Sequence, residues 1–170
     1  MHGVHVVGGS NPLTPTRTFL ACPSLQFMNK NAQKYAIYLL SKREYSVLEL
    51  ETRLNQKGYT SQEITSVINF LQENNYQSDQ RFTEAFVRNR LNKGSGPKKI
   101  IAELQSRGID ICENQLEITD QQWISVCKKV REKKFGNGFP VSINEKNKQI
   151  RFLIYRGFSY DHVKCALSDE

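Results

Sequence analysis

Apolar residues recur at helical spacing through most of the chain. The first clear stripe is Tyr35, Ala36, Leu39 and Leu40, and comparable stripes continue as far as Leu167. Apolar residues spaced three and four positions apart are typical of amphipathic helices. No run alternates apolar and polar residues convincingly, as a half-buried strand would. The pattern therefore predicts an all-α protein.

Three glycines indicate an internal repeat. Gly58, Gly108 and Gly157 lie about 50 residues apart, within the range of helical repeat proteins. Each follows a leucine by four positions and a basic residue by one, and each precedes an apolar side chain. Glycine at this position commonly ends a helix in the left-handed conformation. The spacing predicts tandem helical units with a glycine turn in each.

Helix starts are marked by hydroxyl residues. Ser46, Thr60, Thr119 and Ser142 are each followed three positions later by Glu or Gln. This spacing predicts a capping box, in which the two side chains bond to each other's backbone amides. Ser159 is expected to cap a short last helix.

The second unit has a less complete pattern. Gly94 is expected to end its first helix, and Gly96-Pro97 to begin the next, because proline suits the first helical position. Its third helix is poorly marked, with only Leu116 and Ile118 suggesting it. A loop is predicted in the third unit, over Phe135–Pro140.

These signals divide the chain into a tail and three units. The first 27 residues are rich in glycine and proline and carry one charged side chain, Arg17. They are predicted to be disordered, and Met28 is a plausible alternative start. We expect three-helix repeats at residues 28–77, 78–118 and 119–170.

The charge of the chain points to an anionic partner. The net charge is +7 and the isoelectric point is about 9.3, which suits nucleic acid or an acidic protein surface. The first unit is nearly neutral, so the excess of bases lies in the other two. Solvated helix faces, and bases near helix C-termini such as Arg107 and Arg156, are the alternative explanation. The candidate binding residues are Arg88, Arg90, Lys93, Lys98, Lys99, Lys128, Lys129, Arg131, Lys133, Lys134 and Arg151.

Enzymatic chemistry finds little support. The stretch "GSGPKK" lacks the spacing of a phosphate-binding P-loop. Tyr160, Asp161 and His162 are adjacent, so on a helix they point in different directions. We expect no catalytic, cofactor-binding or metal-binding residues. The four cysteines form no C-x-x-C pair, which is typical of a reduced cytoplasmic protein, and no apolar run approaches the roughly 20 residues that span a bilayer.

Three stretches resemble the signatures of the RecX family, bacterial regulators of the RecA recombinase. The central one is "DQRFTEAFVRNRLNKGSGPKKIIAELQSRGI", from Asp79 to Ile109. The N-terminal one is "AIYLLSKREYSVLELETRLNQKGY", and the C-terminal one is "RFLIYRGFSYDHVKCAL". They occur in the family's order and span most of the chain.

The resemblance implies three tandem three-helix repeats in an elongated, curved molecule. It also implies binding along the groove of the RecA–single-stranded DNA filament, and modulation, usually inhibition, of strand exchange, ATP hydrolysis and support of LexA cleavage. The expected partners are the RecA filament, single-stranded DNA and, as a further candidate, double-stranded DNA. We expect a monomer without membrane contact or cofactor. A helix-turn-helix protein acting on duplex DNA and a scaffold that binds no nucleic acid are the alternatives.

Overall fold

Residues 29–168 are described by a computed structural model of the protein. Within that range the chain forms α-helices and one 3-10 helix, with no strand, so the all-α prediction is confirmed. The predicted disordered tail at residues 1–27 lies outside the described residues. The helices are α1 Lys30–Leu40, α2 Val47–Gln56, α3 Ser61–Glu73, α4 Asp79–Asn92, α5 Pro97–Gln105, the 3-10 helix Glu113–Leu116, α6 Asp120–Phe135, α7 Ile143–Tyr155 and α8 Tyr160–Leu167.

The helices are arranged as three consecutive units. Repeat 1 is α1–α3, repeat 2 is α4, α5 and the 3-10 helix, and repeat 3 is α6–α8. Repeat 1 has its own core, centred on Leu50, Leu54 and Leu71. Repeats 2 and 3 share a second core that includes Ile100 and Trp123. The predicted fold of three tandem three-helix units is therefore confirmed, although the third helix of repeat 2 is a single turn.

The predicted caps form at most of the helix starts. Thr60, Thr119 and Ser142 each make a reciprocal capping box with the Glu or Gln three residues later. The Ser159 hydroxyl accepts a hydrogen bond from the backbone amide of His162 at the start of α8. Short-range sequence signals set these boundaries because both partners lie within one helical turn.

Ser46 is an exception among the predicted capping boxes. Its hydroxyl accepts from the Glu49 amide at 3.2 Å, but the structure shows no return bond from the Glu49 carboxylate. That carboxylate instead lies 2.9 Å from Arg43 Nη1 and 3.3 Å from Arg107 Nε. Two guanidinium groups thus take the place of the backbone amide as partners of this carboxylate, and Arg107 belongs to the next repeat.

The loop of repeat 3 begins one residue later than predicted. Phe135 is the last residue of α6, and Gly136 follows with φ 87°. The Phe135 ring packs edge-to-face against Phe152 of α7, with centroids 5.3 Å apart. This contact between the two helices accounts for the extra helical residue.

The three repeat glycines have the predicted conformation, and two of them also make the repeats fit together. Gly58, Gly108 and Gly157 have φ of 86°, 78° and 93°. A Cβ atom added to Gly108 would lie 3.1 Å from the Leu48 side chain of repeat 1, and one on Gly157 would lie 2.5 Å from Lys99 Cβ of repeat 2. At Gly58, which precedes any junction, an added Cβ would meet no atom within 4 Å.

The basic residues that precede Gly108 and Gly157 also contact the preceding repeat. Arg107 pairs with Glu49 of repeat 1 and lies over the Phe86 ring at 4.7 Å. Arg156 donates from Nη1 to the backbone carbonyl of Lys93 in repeat 2, at 3.0 Å. These arginines therefore do more than complement a helix C-terminus, because each connects two repeats.

Buried polar contacts complete the junction of repeats 1 and 2. Gln77 is 2% exposed, and its Nε2 donates to the Tyr45 carbonyl and to Asp79 Oδ1. The same Asp79 oxygen accepts from the Val47 amide at 3.0 Å. The start of α2 is thus fixed to the start of α4 by directional bonds, which set the angle between the units.

The glycine turns give a direct test of the junctions. Gly58→Ala should lower the free energy of unfolding by about 1 kcal/mol, the cost of a left-handed alanine. Gly157→Ala should lower it by about 2–4 kcal/mol, because the same backbone cost is joined by a clash with Lys99. Urea unfolding followed by circular dichroism measures both. Equal losses for the two variants would contradict the close packing at Gly157.

Candidate nucleic-acid interface

The turn between α4 and α5 packs against repeat 3 and is not a phosphate-binding loop. Its Gly96 amide donates to the Arg156 carbonyl at 2.8 Å, and the Lys98 amide donates to the Gly157 carbonyl at 3.1 Å. A helix N-terminus binds anions through such amides. Here they are already bonded to the turn between α7 and α8, so the turn offers its side chains, not its backbone, to a ligand.

The bases predicted around this turn have different surroundings. Arg90 pairs with Glu103, with Nε and Oε2 2.6 Å apart, and its guanidinium lies over an aromatic ring. Arg88 is exposed on α4, in a groove whose lining also includes four acidic residues. Lys98 is exposed, whereas Lys99 is half-buried because its stem packs beneath the glycine turn of repeat 3. That all of these bases bind one anionic partner together stays a prediction.

A cleft between repeats 2 and 3 gathers other bases. It has a volume of about 520 Å³ and lies between the C-terminal end of α4 and the exposed side of α6. Its floor is apolar, and no carboxylate is among the described residues that line it. We call it the basic cleft; its charged residues are Lys93, Lys129, Lys133, Lys134 and Arg156, and its apolar residues are Leu91, Val126, Val130 and Phe152.

Helix geometry explains how α6 supplies its part of the cleft. Residues four positions apart lie on the same side of a helix, so Lys129 and Lys133 line one edge together. Val126 and Val130 lie beside them and form the floor. A Cβ atom on Gly94, at the end of α4, would overlap the Val130 side chain. Glycine is therefore needed for the two helices to approach this closely.

Two more bases enter the cleft from its other sides. Lys93 is the C-cap residue of α4, and its carbonyl accepts the hydrogen bond from Arg156. The Arg156 guanidinium also lies 5.3 Å from the centroid of the Phe152 ring. This carbonyl and this ring hold Arg156 at the edge of the cleft. A guanidinium has five N–H donors, so those not bonded to the carbonyl can bind a ligand.

In repeat 3, three of the predicted residues lie away from the cleft. Arg131 is 2% exposed and lies over the Phe139 ring at 4.5 Å, so it belongs to the interior of repeat 3. Lys128 is half-buried, and Arg151 is exposed on α7. Neither lines the cleft. Helical periodicity places Arg131 on the side of Cys127, four positions earlier, which was the available signal that it faces inward.

Arg156 was missing from the predicted set. Its position before a repeat glycine suggested only an ordinary base at a helix C-terminus. No sequence signal distinguished it from Arg107 at the equivalent position, which also reaches the preceding repeat but does not line the cleft.

Reactive groups elsewhere are separated or buried. His162 is 5% exposed, and its Nε2 lies 3.5 Å from Asp120 Oδ1, whereas Tyr160 and Asp161 point to solvent. Burial raises the pKa of the Cys127 thiol to about 12, so this side chain is uncharged. No group of three or more potential metal ligands occurs within residues 29–168. In the same range, no helix has the length and apolar character needed to cross a membrane.

Family models match all three units. The RecX models for the first, second and third three-helix domains match residues 32–71, 78–110 and 120–167. The chain is also 39% identical over 137 residues to the Regulatory protein RecX of Vibrio vulnificus, across 79% of this chain and 90% of the relative. The chain belongs to the RecX family. A RecX of Legionella pneumophila is 40% identical over 136 residues, across 79% and 91% of the two chains.

Solved RecX structures have the same fold. The crystal structure of RecX from Lactobacillus salivarius matches with a TM-score of 0.66 and 26% identity, covering 80% of this chain and 92% of that one. A second crystal structure of a RecX protein matches with a TM-score of 0.69 at 19% identity, covering 82% and 72%, and supports the fold alone. The resemblance noted in the sequence is therefore confirmed, and the family is one of regulatory proteins rather than a known enzyme family.

The basic cleft can be tested with a charge-matched pair of variants. Lys129→Ala with Lys133→Ala should weaken binding to single-stranded DNA. The slope of log affinity against log salt should fall by about one to one and a half, at about 0.7 per phosphate contact. Fluorescence anisotropy over a salt series measures both quantities.

The control removes the same charge from elsewhere in repeat 3. Lys146→Ala with Lys148→Ala changes exposed residues of α7 that do not line the cleft. If this control loses as much affinity and slope as the cleft variant, the cleft is not the DNA site. A third variant, Lys98→Ala with Lys99→Ala, tests the α4–α5 turn in the same assay.

Proposed function

We propose that this protein regulates the RecA recombinase, as an inhibitor, by binding along the groove of the RecA–single-stranded DNA filament. The observation that carries the proposal is the basic cleft between repeats 2 and 3, in a chain of the RecX family. Five cations over an apolar floor suit a nucleic-acid strand, whose phosphates pair with the cations while its bases contact the floor.

The charge distribution supports different roles for the repeats. Several charges of repeat 1 are already paired: Arg43 pairs with Glu49 within the repeat, and Glu44 pairs with Arg81 of repeat 2. Such pairs leave little net attraction for phosphate. We assign the main DNA contacts to repeats 2 and 3, and a smaller electrostatic share to repeat 1.

The serial arrangement of the repeats suits a groove. Each junction is fixed by a glycine turn and an arginine, so the units keep a set orientation to one another. Affinity would then come from many separated contacts. A protein that occupies the groove and neutralises its phosphates hinders entry of a second DNA molecule, which lowers strand exchange. Binding one state of the filament better than another also shifts ATP hydrolysis and support of LexA cleavage.

The helix-turn-helix alternative is less well supported in the basic region. A recognition helix reads base edges with its N-terminal residues. In repeat 2 that helix would be α5, whose start is bonded to the Arg156 and Gly157 carbonyls of repeat 3. Lys98 is the one exposed side chain among its first three residues, which leaves few groups to read a sequence.

RecA assays test the proposal. Added in increasing amounts to RecA on single-stranded DNA, the protein should lower both ATP hydrolysis and strand exchange. The Lys129→Ala, Lys133→Ala variant should need a several-fold higher concentration for the same effect, because its attraction to phosphate is reduced. The Lys146→Ala, Lys148→Ala variant should act like the wild type.

Two results would argue against inhibition of RecA. The first is unchanged ATP hydrolysis and strand exchange at protein concentrations that saturate single-stranded DNA. The second is sequence-specific retardation of duplex DNA without any effect on RecA, which would favour the helix-turn-helix alternative.

A further inference from the structure

A second groove in repeat 2 carries the opposite charge. It has a volume of about 660 Å³ and lies between α4 and the segment that follows α5. We call it the acidic groove. Its apolar residues are Val87, Leu91, Ile109, Ile111, Leu116 and Ile118, and its charged residues are Asp79, Glu84, Asp110, Glu117 and a single base, Arg88.

The groove exists because repeat 2 lacks a full third helix. In repeats 1 and 3 the third helices, α3 and α8, have 13 and 8 residues and pack against the other helices of their units. In repeat 2 the equivalent element is the 3-10 helix of 4 residues. It buries Leu116 but leaves Ile109, Ile111 and Ile118 partly exposed at the edge of the core. The uncovered space therefore suits a helix supplied by another molecule.

Glu117 occupies an unusual position at the end of this segment. Asn75 and Glu117 are the non-glycine residues with positive φ in the described chain, and Glu117 has φ 54° and ψ 30°. Asparagine adopts this conformation readily, whereas glutamate does so at a cost. A strained backbone at a groove edge is a reason to suspect a role in binding.

The other acids differ in what they contact. Asp79 is used at the junction with repeat 1, and Glu84 accepts a hydrogen bond from Gln80 at 3.1 Å. Asp110 and Glu117 are exposed, and neither forms an ion pair with another described residue. These two carboxylates are thus available to a cationic partner.

We propose that the acidic groove binds a basic amphipathic helix of a RecA subunit in the filament. Apolar side chains of such a helix would cover the partly exposed isoleucines, and its Lys or Arg side chains would pair with Asp110 and Glu117. Nucleic acid is disfavoured there because its phosphates would meet carboxylates. This inference rests on the proposed function. It assigns the DNA contacts to the basic cleft and the contacts with RecA to the acidic groove.

Neutralising the two free carboxylates tests this assignment. Asp110→Asn keeps the side-chain shape, and Glu117→Asn gives a polar side chain one methylene shorter that tolerates the positive φ at position 117. The melting temperature should therefore be unchanged or higher. Affinity for RecA filaments on single-stranded DNA should be about threefold to tenfold weaker, because two ion pairs are lost.

The same oligonucleotide without RecA separates the two surfaces. Anisotropy of the labelled full-length protein is measured with bare single-stranded DNA and with RecA filaments stabilised by a non-hydrolysable ATP analogue. The groove variant should bind bare DNA as well as the wild type does, or more tightly, because it carries less negative charge. The control, Glu73→Gln with Asp161→Asn, removes the same charge from exposed residues of repeats 1 and 3 and should bind filaments normally.

Several outcomes would overturn the inference. Wild-type affinity of the groove variant for filaments would show that the groove does not contact RecA, even if the protein still inhibits RecA. Equal weakening by the control variant would show a general charge effect, and equal weakening on bare DNA would assign the groove to DNA. Failure of the wild-type protein to bind filaments or affect RecA would instead remove the proposed function itself.

Discussion

The contact between two glycine turns in repeats 2 and 3 is the constraint on which the candidate site depends. The Gly96 amide bonds to the Arg156 carbonyl, and a Cβ atom at Gly96 would overlap the backbone at Gly157. Two backbones come this close only when neither carries a side chain at the point of contact. The same contact places Arg156 against the Lys93 carbonyl and gives the two repeats a common core. The basic cleft is the space beside this contact, so its shape depends on residues that carry no charge.

Much of the fold could be predicted because its signals are local. A capping box or a glycine turn involves residues within a few positions of each other, so the sequence indicates where α3, α6 and α7 begin and where α2, α5 and α7 end. The contacts between repeats were harder to predict. Glu49 looks like half of a capping box, and only the structure shows that it pairs with Arg107 of the next repeat. The short third element of repeat 2 was foreseen as a weak pattern, but its consequence, an open groove, requires the packing of the neighbouring helices.

The candidate site was predicted less well because a cluster of bases in sequence is not a cluster in space. Arg88 and Arg90 are two positions apart on α4, yet Arg88 lines a groove with four acidic residues while Arg90 pairs with Glu103. Arg131 belongs to a run of bases but is buried beneath Phe139. In the net charge taken from the sequence, each of these side chains counts equally. Their availability to phosphate depends on which side of a helix they occupy and on what packs against them.

Helix α4 separates two surfaces of opposite charge, and its end contributes Leu91 and Asn92 to both of them. Along its length the groove side presents Glu84, and its C-terminus presents Lys93 to the cleft. A net charge of +7 conceals this separation, since acids and bases cancel in the sum but not in space. Under the proposed function, in which the protein contacts both DNA and the RecA that coats it, separated charges would hold each partner on its own surface, because each surface repels the other partner. The orientation of repeat 2 in a filament would then be fixed by α4, with DNA against the basic cleft and protein against the acidic groove.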